Sequence, residues 1–207
     1  INHKFPIGKT TVTWKVTDKS GLQNSATQEV TVKDNEVPVI APVSSITALN
    51  KAGYCSASVT ITKATATDNC GVGAVTGTRS DGLALTQNYP VGTTVITWKV
   101  SDNSGNAATQ VTQEIIVEDK EAPAAPTLKE ITWGCEYTVA VPSTTDNCDT
   151  DVTVTHDVPL TFTSSGSITW TFTDDAGNSS TSVQNIIIDP VQISTENVVD
   201  VLCNGYA

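Results

Sequence analysis

The stretch Thr13-Trp14-Lys15-Val16-Thr17-Asp18 recurs as Thr97-Trp98-Lys99-Val100-Ser101-Asp102, and more loosely as Thr169-Trp170-Thr171-Phe172-Thr173-Asp174. The first two tryptophans stand 84 residues apart, and the third follows 72 residues later. A period of this size corresponds to one small domain per repeat and is longer than a solenoid unit. The sequence therefore predicts a string of modules, whose function depends on length, stiffness and surface.

Composition indicates that each module is made of β-strands. Threonine supplies 34 of the 207 residues, and short runs rich in valine and isoleucine alternate with Pro and Gly turns. In the second copy Ile96, Trp98 and Val100 alternate with polar residues, so one face of that strand is predicted to point inward. The repeat length suits a two-sheet sandwich. We predict an all-β chain of tandem immunoglobulin-like antiparallel β-sandwich modules, with Trp14, Trp98 and Trp170 in their cores.

The flanking sequence of each copy gives the expected module boundaries. Residues 1–36 are predicted to be the C-terminal half of one module, 37–121 a complete module, 122–192 a shorter degenerate module and 193–207 the start of the next. Because residue 1 falls in mid-repeat and the sequence contains no Met, we expect an internal fragment of a longer protein. No apolar stretch has transmembrane length, and no direct membrane insertion is expected.

Two cysteines in each of two repeats suggest one disulfide per module. Cys70 and Cys148 both end a Thr-Asp-Asn-Cys sequence, and Cys55 and Cys135 precede them at similar distances. We predict the pairs Cys55–Cys70 and Cys135–Cys148, each closing a loop of roughly 15 residues and contributing about 3 kcal/mol. A metal site would need more ligands than two cysteines per repeat. Disulfides place the protein outside the reducing cytosol. Cys203 is assigned to the following module.

The acidic residues carry the one chemistry that the sequence suggests. The net charge of −11 argues against nucleic acid and anionic lipid as partners. Carboxylates recur in Thr-Asp-Asn-Cys, at the start of the Asp-x-(Ser/Ala)-Gly turn and in the linker Asp-x-Glu. In immunoglobulin-like connectivity these two loops emerge beside the entering linker. One junction is thus predicted to gather Asp34, Glu36, Asp68 and Asp102, and the other Asp119, Glu121, Asp146 and Asp174.

Two interpretations of these carboxylates remain open. Closely spaced carboxylates repel unless a hard cation neutralises them, and oxygen ligands favour Ca²⁺, which would stiffen the junction. Alternatively each Asp opens a turn by bonding its own backbone, with Gly105 and Gly177 at positive φ, and the linker carboxylates are solvated. A Cys55–Cys70 bridge could also pull Asp68 away from the junction. The third linker, Asp189-Pro190, has no Glu.

Nothing in the sequence indicates catalysis. His3 and His156 lie outside the repeat motifs, and no nucleophile elbow, phosphate loop or zinc-ligand spacing is present. The chain is therefore predicted not to be an enzyme. Trp133, two residues before Cys135, either packs on a disulfide or is exposed; if exposed, it is with Tyr137 a candidate for binding carbohydrate.

The run Tyr89–Trp98, the turn Ser101–Asn106 and the closing stretch Val117–Pro123 together resemble the hyalin repeat (HYR) domain. The resemblance covers about residues 37–119, half of the module before and a degenerate copy after, in which Val158-Pro159-Leu160 lacks the usual glycine. It implies immunoglobulin-like modules of an extracellular protein with a role in adhesion.

The Gly-x-Cys and Asp-Asn-Cys variant resembles repeats of very large Bacteroidota surface proteins exported by the type IX system, the SprB-type gliding adhesins. The tail Val201-Leu202-Cys203-Asn204-Gly205 is similar to the opening of another of their repeats. This implies a noncatalytic adhesive segment of an outer-membrane-attached filament on the cell surface, acting in adhesion and gliding motility. The expected partners are neighbouring repeats, surface polysaccharide or substratum, and the gliding and secretion machinery through other regions. The alternatives are a carbohydrate-binding module or an accessory domain of an exported hydrolase.

Overall fold

The computed structural model describes residues 3–189, and within that range it consists of β-strands and loops without a helix. The predicted all-β fold is confirmed. The strands are β1 Gly8–Thr17, β2 Gln23–Val32, β3 Val39–Ile40, β4 Ile46–Leu49, β5 Ser56–Ala57, β6 Ala66–Thr67, β7 Thr76–Arg79, β8 Tyr89–Pro90, β9 Gly92–Lys99, β10 Val111–Glu118, β11 Ile131–Trp133, β12 Tyr137–Thr138, β13 Thr153–His156, β14 Thr161–Phe162, β15 Gly166–Thr173 and β16 Ser179–Ile188. No helix among these residues is long and apolar enough to cross a membrane. The segment 193–207, including Cys203, lies outside the described residues.

Two four-stranded sheets have the same order, β4-β10-β9-β7 and β11-β16-β15-β13. Each is accompanied by a two-stranded sheet, β5-β8 in the first case and β12-β14 in the second. The same topology thus follows the sequence repeat, as expected for consecutive immunoglobulin-like modules. In the second of these sheets the edge strand β11 pairs with β16 in parallel.

The core of the last repeat follows the alternation along β15. Ile168, Trp170 and Phe172 are fully buried. The buried indole is satisfied, because Trp170 Nε1 donates to Gln184 Oε1 at 3.2 Å. Gln184 Nε2 in turn donates to the carbonyl of Lys129 at 3.1 Å. The glutamine therefore joins the tryptophan to the chain that enters the repeat, at a net gain of about 1 kcal/mol per bond.

The central repeat has the same tryptophan arrangement. Trp98 is fully buried, its Nε1 donates to Gln113 Oε1 at 3.3 Å, and Gln113 Nε2 donates to the Ser44 carbonyl at 2.8 Å. The inward positions predicted for Trp98 and Trp170 are thereby confirmed.

For Trp14, in the first copy, the predicted core position is wrong. Its indole makes the equivalent bond to Gln28 Oε1 at 3.1 Å, but its side chain is 53% exposed. The reason is that β1 pairs with β2 in a sheet of two strands, and among residues 3–189 no further strand extends it.

The chain forms two compact units whose boundary passes through the central repeat. The first unit contains residues up to 46 together with 60–87 and 94–115, and the second contains 47–59, 88–93 and the residues from 116 onward. The module limits 37–121 and 122–192 therefore stay predictions. Each of the two predicted groups of carboxylates lies within a single unit.

Candidate functional sites in two acidic clusters

The first acidic cluster consists of Asp34, Glu36, Asp68, Cys70 and Asp102, all in the first unit. A carboxylate oxygen of Asp34, one of Asp68 and the Cys70 sulfur lie within 4.8 Å of one another. Partial desolvation raises the pKa of Cys70, and the charges of all four carboxylates raise it further. The structure therefore gathers around one thiol the four acidic residues that the sequence assigned to this junction.

Asp34 and Asp68 each have one oxygen bonded and one oxygen without a partner. Asp34 Oδ1 accepts the Glu36 N–H at 3.1 Å, and Asp68 Oδ1 accepts the Cys70 N–H at 2.8 Å. The second oxygens, Asp34 Oδ2 and Asp68 Oδ2, are buried without a hydrogen-bond partner. An unsatisfied buried carboxylate oxygen is costly, and a cation between the two residues would offset that cost.

Asp102 plays a different part because both of its oxygens are engaged. Its Oδ1 accepts N–H groups of Ser104 at 2.9 Å and Asn106 at 2.7 Å, and its Oδ2 accepts Asn106 Nδ2 at 2.6 Å. Burial opposes the charged form, but these hydrogen bonds outweigh it and lower the pKa of Asp102. Asp102 therefore opens a turn by bonding the backbone that follows it, as in the alternative to a metal site. Glu36 is also engaged, since it accepts a hydrogen bond from Asn69 Nδ2.

Two asparagines that were not predicted as site residues fasten the linkers to these turns. Asn106 Nδ2 also donates to the Asp34 carbonyl at 3.3 Å, and Asn178 Nδ2 donates to the Asp119 carbonyl at 3.3 Å. Their signal was recurrence, because each directly follows the turn glycine of its repeat. The first copy has Leu22 at this position.

The second acidic cluster consists of Asp119, Glu121, Asp146, Cys148 and Asp174, all in the second unit. Oxygens of Asp119 and Asp146 and the Cys148 sulfur again lie within 4.8 Å of one another. Asp146 Oδ2 accepts the Cys148 N–H at 2.7 Å, whereas Asp146 Oδ1 is buried without a partner.

The remaining two carboxylates of the second cluster are hydrogen-bonded. Asp174 accepts both the N–H and the side-chain amide of Asn178, at 2.7 and 2.9 Å. Glu121 Oε2 accepts the Gly53 N–H at 2.6 Å. The two clusters therefore share one plan, in which an aspartate pair, Asp34 with Asp68 or Asp119 with Asp146, faces the cysteine.

The disulfide corrects the predicted pairings. Cys55 is bonded to Cys148, with 4.7 Å between their Cα atoms, and Cys70 is an exposed free thiol. The predicted pairs Cys55–Cys70 and Cys135–Cys148 are both wrong. Cys135 is disulfide-bonded, but Cys148 is not its partner.

The physical reason is that a disulfide needs its two Cα atoms within about 7 Å, which spacing along the sequence does not fix. Cys55 meets this condition with Cys148, and each cysteine forms a single disulfide. Because Cys70 is not bridged to Cys55, Asp68 stays in its cluster.

Trp133 and His156 were also candidates for a functional role. Trp133 is 55% exposed, and its ring lies 5.4 Å from that of Tyr137. His156, at the end of β13, places its ring edge-on against Trp170 and shares a hydrogen bond between its Nδ1 and the Val158 carbonyl at 2.7 Å. The histidine is therefore part of the packing of the last repeat.

The fold and its internal repetition define a protein of tandem immunoglobulin-like modules. Residues 33–117 match the family model of the HYR domain. It is 31% identical to hyalin of Strongylocentrotus purpuratus over 212 residues, which is 94% of this chain and 17% of that protein. It is 36% identical to hyalin of Lytechinus variegatus over 132 residues, or 61% of this chain and 24% of that protein. The chain thus spans less than a quarter of each relative.

Solved structures to which this chain is similar include fragments of titin and desmocollin-1. A three-domain immunoglobulin fragment of titin matches with a TM-score of 0.39 and 11% identity, over 87% of this chain and 75% of that one. The human desmocollin-1 ectodomain matches with a TM-score of 0.35 and 11% identity, over 88% of this chain and 47% of that one.

Proposed function

We propose that this chain is a noncatalytic adhesive segment of an extracellular protein, in which a disulfide and Ca²⁺ hold one repeat to the next. The proposal is carried by the Cys55–Cys148 bond, which joins the HYR domain at 33–117 to the sequence after it. Modules joined by a short linker move freely by default, and a covalent crosslink in addition to the linker removes much of that freedom. Disulfides also persist outside the cytosol, which supports an extracellular location.

The support for Ca²⁺ is the aspartate pair in each cluster. Three buried oxygens, one each on Asp34, Asp68 and Asp146, have no hydrogen-bond partner. Carboxylate oxygens are the ligands that Ca²⁺ prefers, and water or backbone carbonyls would complete its coordination. The neighbouring cysteine sulfur is a soft ligand and is not assigned to the ion.

The calcium part is tested by thermal unfolding with and without Ca²⁺. A double variant, Asp68→Asn with Asp146→Asn, removes one member of each pair. The matched control, Asp151→Asn with Asp175→Asn, removes the same charge from exposed positions. Saturation at 100 times the dissociation constant is expected to stabilise the wild type and the control by about 2.7 kcal/mol for each occupied site, and the double variant much less.

Solution scattering provides the mechanical readout of the same experiment. Chelation is expected to increase bending of the wild type and the control, and to leave the double variant unchanged. Equal Ca²⁺ responses in all three proteins, or none in the wild type, would remove calcium from the proposal and leave the disulfide part standing.

The narrower form of the proposal is a filament of a gliding bacterium. It is supported by the sequence resemblance of the Gly-x-Cys and Asp-Asn-Cys repeats to type IX exported adhesins. The test is the complete gene: a C-terminal type IX sorting domain and further repeats would support it, and a flanking catalytic domain would favour an accessory domain of an exported hydrolase.

A second candidate function, carbohydrate binding, is favoured by one observation, the exposed ring of Trp133 beside Tyr137. Aromatic faces with an exposed body suit contact with apolar faces of ligands. A glycan array probed with the wild type and Trp133→Ala would test it, with Trp14→Ala as control because Trp14 is equally exposed. Loss of binding in Trp133→Ala alone would support this function, and binding by all three proteins would exclude Trp133.

A further inference from the structure

The Cys55–Cys148 bond links the central repeat covalently to the repeat that follows it. Cys55 follows a tight turn in which the Tyr54 N–H donates to the Lys51 carbonyl at 2.8 Å. Gly53 adopts a φ of 75° in this turn, a left-handed conformation that favours glycine. The Gly53 N–H reaches Glu121. The turn thus presents its cysteine to the acidic cluster that contains Cys148.

Cys70 lies in a copy of the loop that holds Cys148. Both cysteines end Thr-Asp-Asn-Cys, and both donate their N–H to the aspartate two residues earlier, at 2.8 Å for Cys70 and 2.7 Å for Cys148. In both clusters an asparagine fastens the linker, as described above for Asn106 and Asn178. The structure therefore contains one such loop with its disulfide partner and one with a free thiol.

The surroundings of Cys70 are also those of a cysteine that can form a disulfide. The thiol is exposed, so a partner has access to it. Glu36 stands at the position that Glu121 has in the second cluster. There Glu121 accepts the Gly53 N–H from the turn that carries Cys55. In the first cluster Glu36 accepts instead from the side chain of Asn69.

We propose that Cys70 forms a disulfide with the Gly-x-Cys cysteine of a HYR repeat placed before it in a longer chain, so that each repeat is covalently joined to the next. The partner is defined by its chemistry: a Lys51–Cys55-like turn that offers a thiol and a backbone N–H. This proposal depends neither on calcium nor on adhesion.

The bond forms by thiol–disulfide exchange with a small disulfide such as oxidised glutathione. The Cys70 thiolate attacks one sulfur of the oxidant and releases one glutathione thiolate. The thiolate of the incoming cysteine then attacks the Cys70 sulfur and releases the second. Two protein thiols are oxidised, one glutathione disulfide is reduced to two thiols, and the two protons pass to the released thiolates.

An extended chain tests the proposal. Residues 37–88 are placed directly before Phe5 of the full chain, so that Asn88 joins Phe5 as it joins Tyr89 in the central repeat. In the added copy, Tyr54→Phe makes the peptide that contains the added cysteine differ in mass from the original Cys55 peptide. Cys70→Ser in the same copy removes the extra thiol. After refolding with oxidised and reduced glutathione, alkylation and mass spectrometry without reduction identify the bonds.

We expect Cys70 to be linked to the added cysteine and no longer alkylated, with Cys55–Cys148 unchanged. The control carries Ser in place of the added cysteine and should keep Cys70 alkylated. Formation of Cys55–Cys148 in the control reports that the extended chain folds. Cys70 remaining alkylated in the extended chain while Cys55–Cys148 has formed would overturn the proposal. So would covalent dimers through Cys70 in the unextended chain, seen on non-reducing gels, because a second copy would then be the partner.

Discussion

Removal of the Cys55–Cys148 bond should be among the most damaging changes available in this chain. The two cysteines are 93 positions apart, and in the chain-entropy description a crosslink of that span stabilises the native state by about 4.6 kcal/mol through its effect on the unfolded chain. The double variant Cys55→Ser with Cys148→Ser is expected to lose most of this. Pairings within each module would close far shorter loops and give about 3 kcal/mol each.

Guanidinium unfolding followed by tryptophan fluorescence, at fixed Ca²⁺, measures the difference. The matched control is Cys70→Ser, which removes an exposed thiol outside any crosslink and should change the free energy of unfolding by less than about 0.5 kcal/mol. Peptide mapping without reduction should show Cys55 joined to Cys148. The reasoning would be refuted if mapping found Cys55 joined to Cys70, or if the double variant were as stable as the control.

Two further predictions concern packing and pH. Gly77→Ala places a Cβ 2.7 Å from the buried Trp98 ring, so we expect a loss of about 1–3 kcal/mol in denaturant unfolding, whereas Gly134→Ala has open space and should cost much less. The pKa of Asp102 is lowered from an ordinary value of 3.8, so its contribution to stability is full above that value and is lost as pH falls through the lower native pKa. Melting temperatures of wild type and Asp102→Asn from about pH 5 to about pH 2 should therefore converge towards the acid end, and parallel curves would contradict the assignment.

Much of the fold follows from local sequence signals. The alternation in β9 and β15 places Trp98 and Trp170 on the inward face because successive side chains of a strand point to opposite sides, whatever the rest of the chain does. The same rule failed for Trp14, because burial also requires a second sheet, and alternation within one strand carries no information about that. Repetition of whole motifs likewise indicated consecutive modules without any knowledge of how they pack.

The acidic clusters were predictable in membership but not in detail. Recurrent carboxylates pointed to Asp34, Asp68 and their counterparts, since equivalent loops of equivalent folds emerge at equivalent places. The sequence did not show which carboxylates keep an oxygen without a hydrogen bond, because the folded loops decide that. Both oxygens of Asp102 accept hydrogen bonds from Asn106, whereas Asp34 and Asp68 each retain one oxygen without a partner.

By itself, the sequence determined that this protein is a series of β modules carrying acidic loops and paired cysteines at fixed repeat positions. Only the tertiary structure decided which cysteines bond. Recurrence of an equivalent cysteine pair in each repeat favoured Cys55 with Cys70, but the fold places Cys55 beside Cys148 instead. Disulfide partners are chosen by distance in space, and that distance is set by the fold rather than by repetition along the chain.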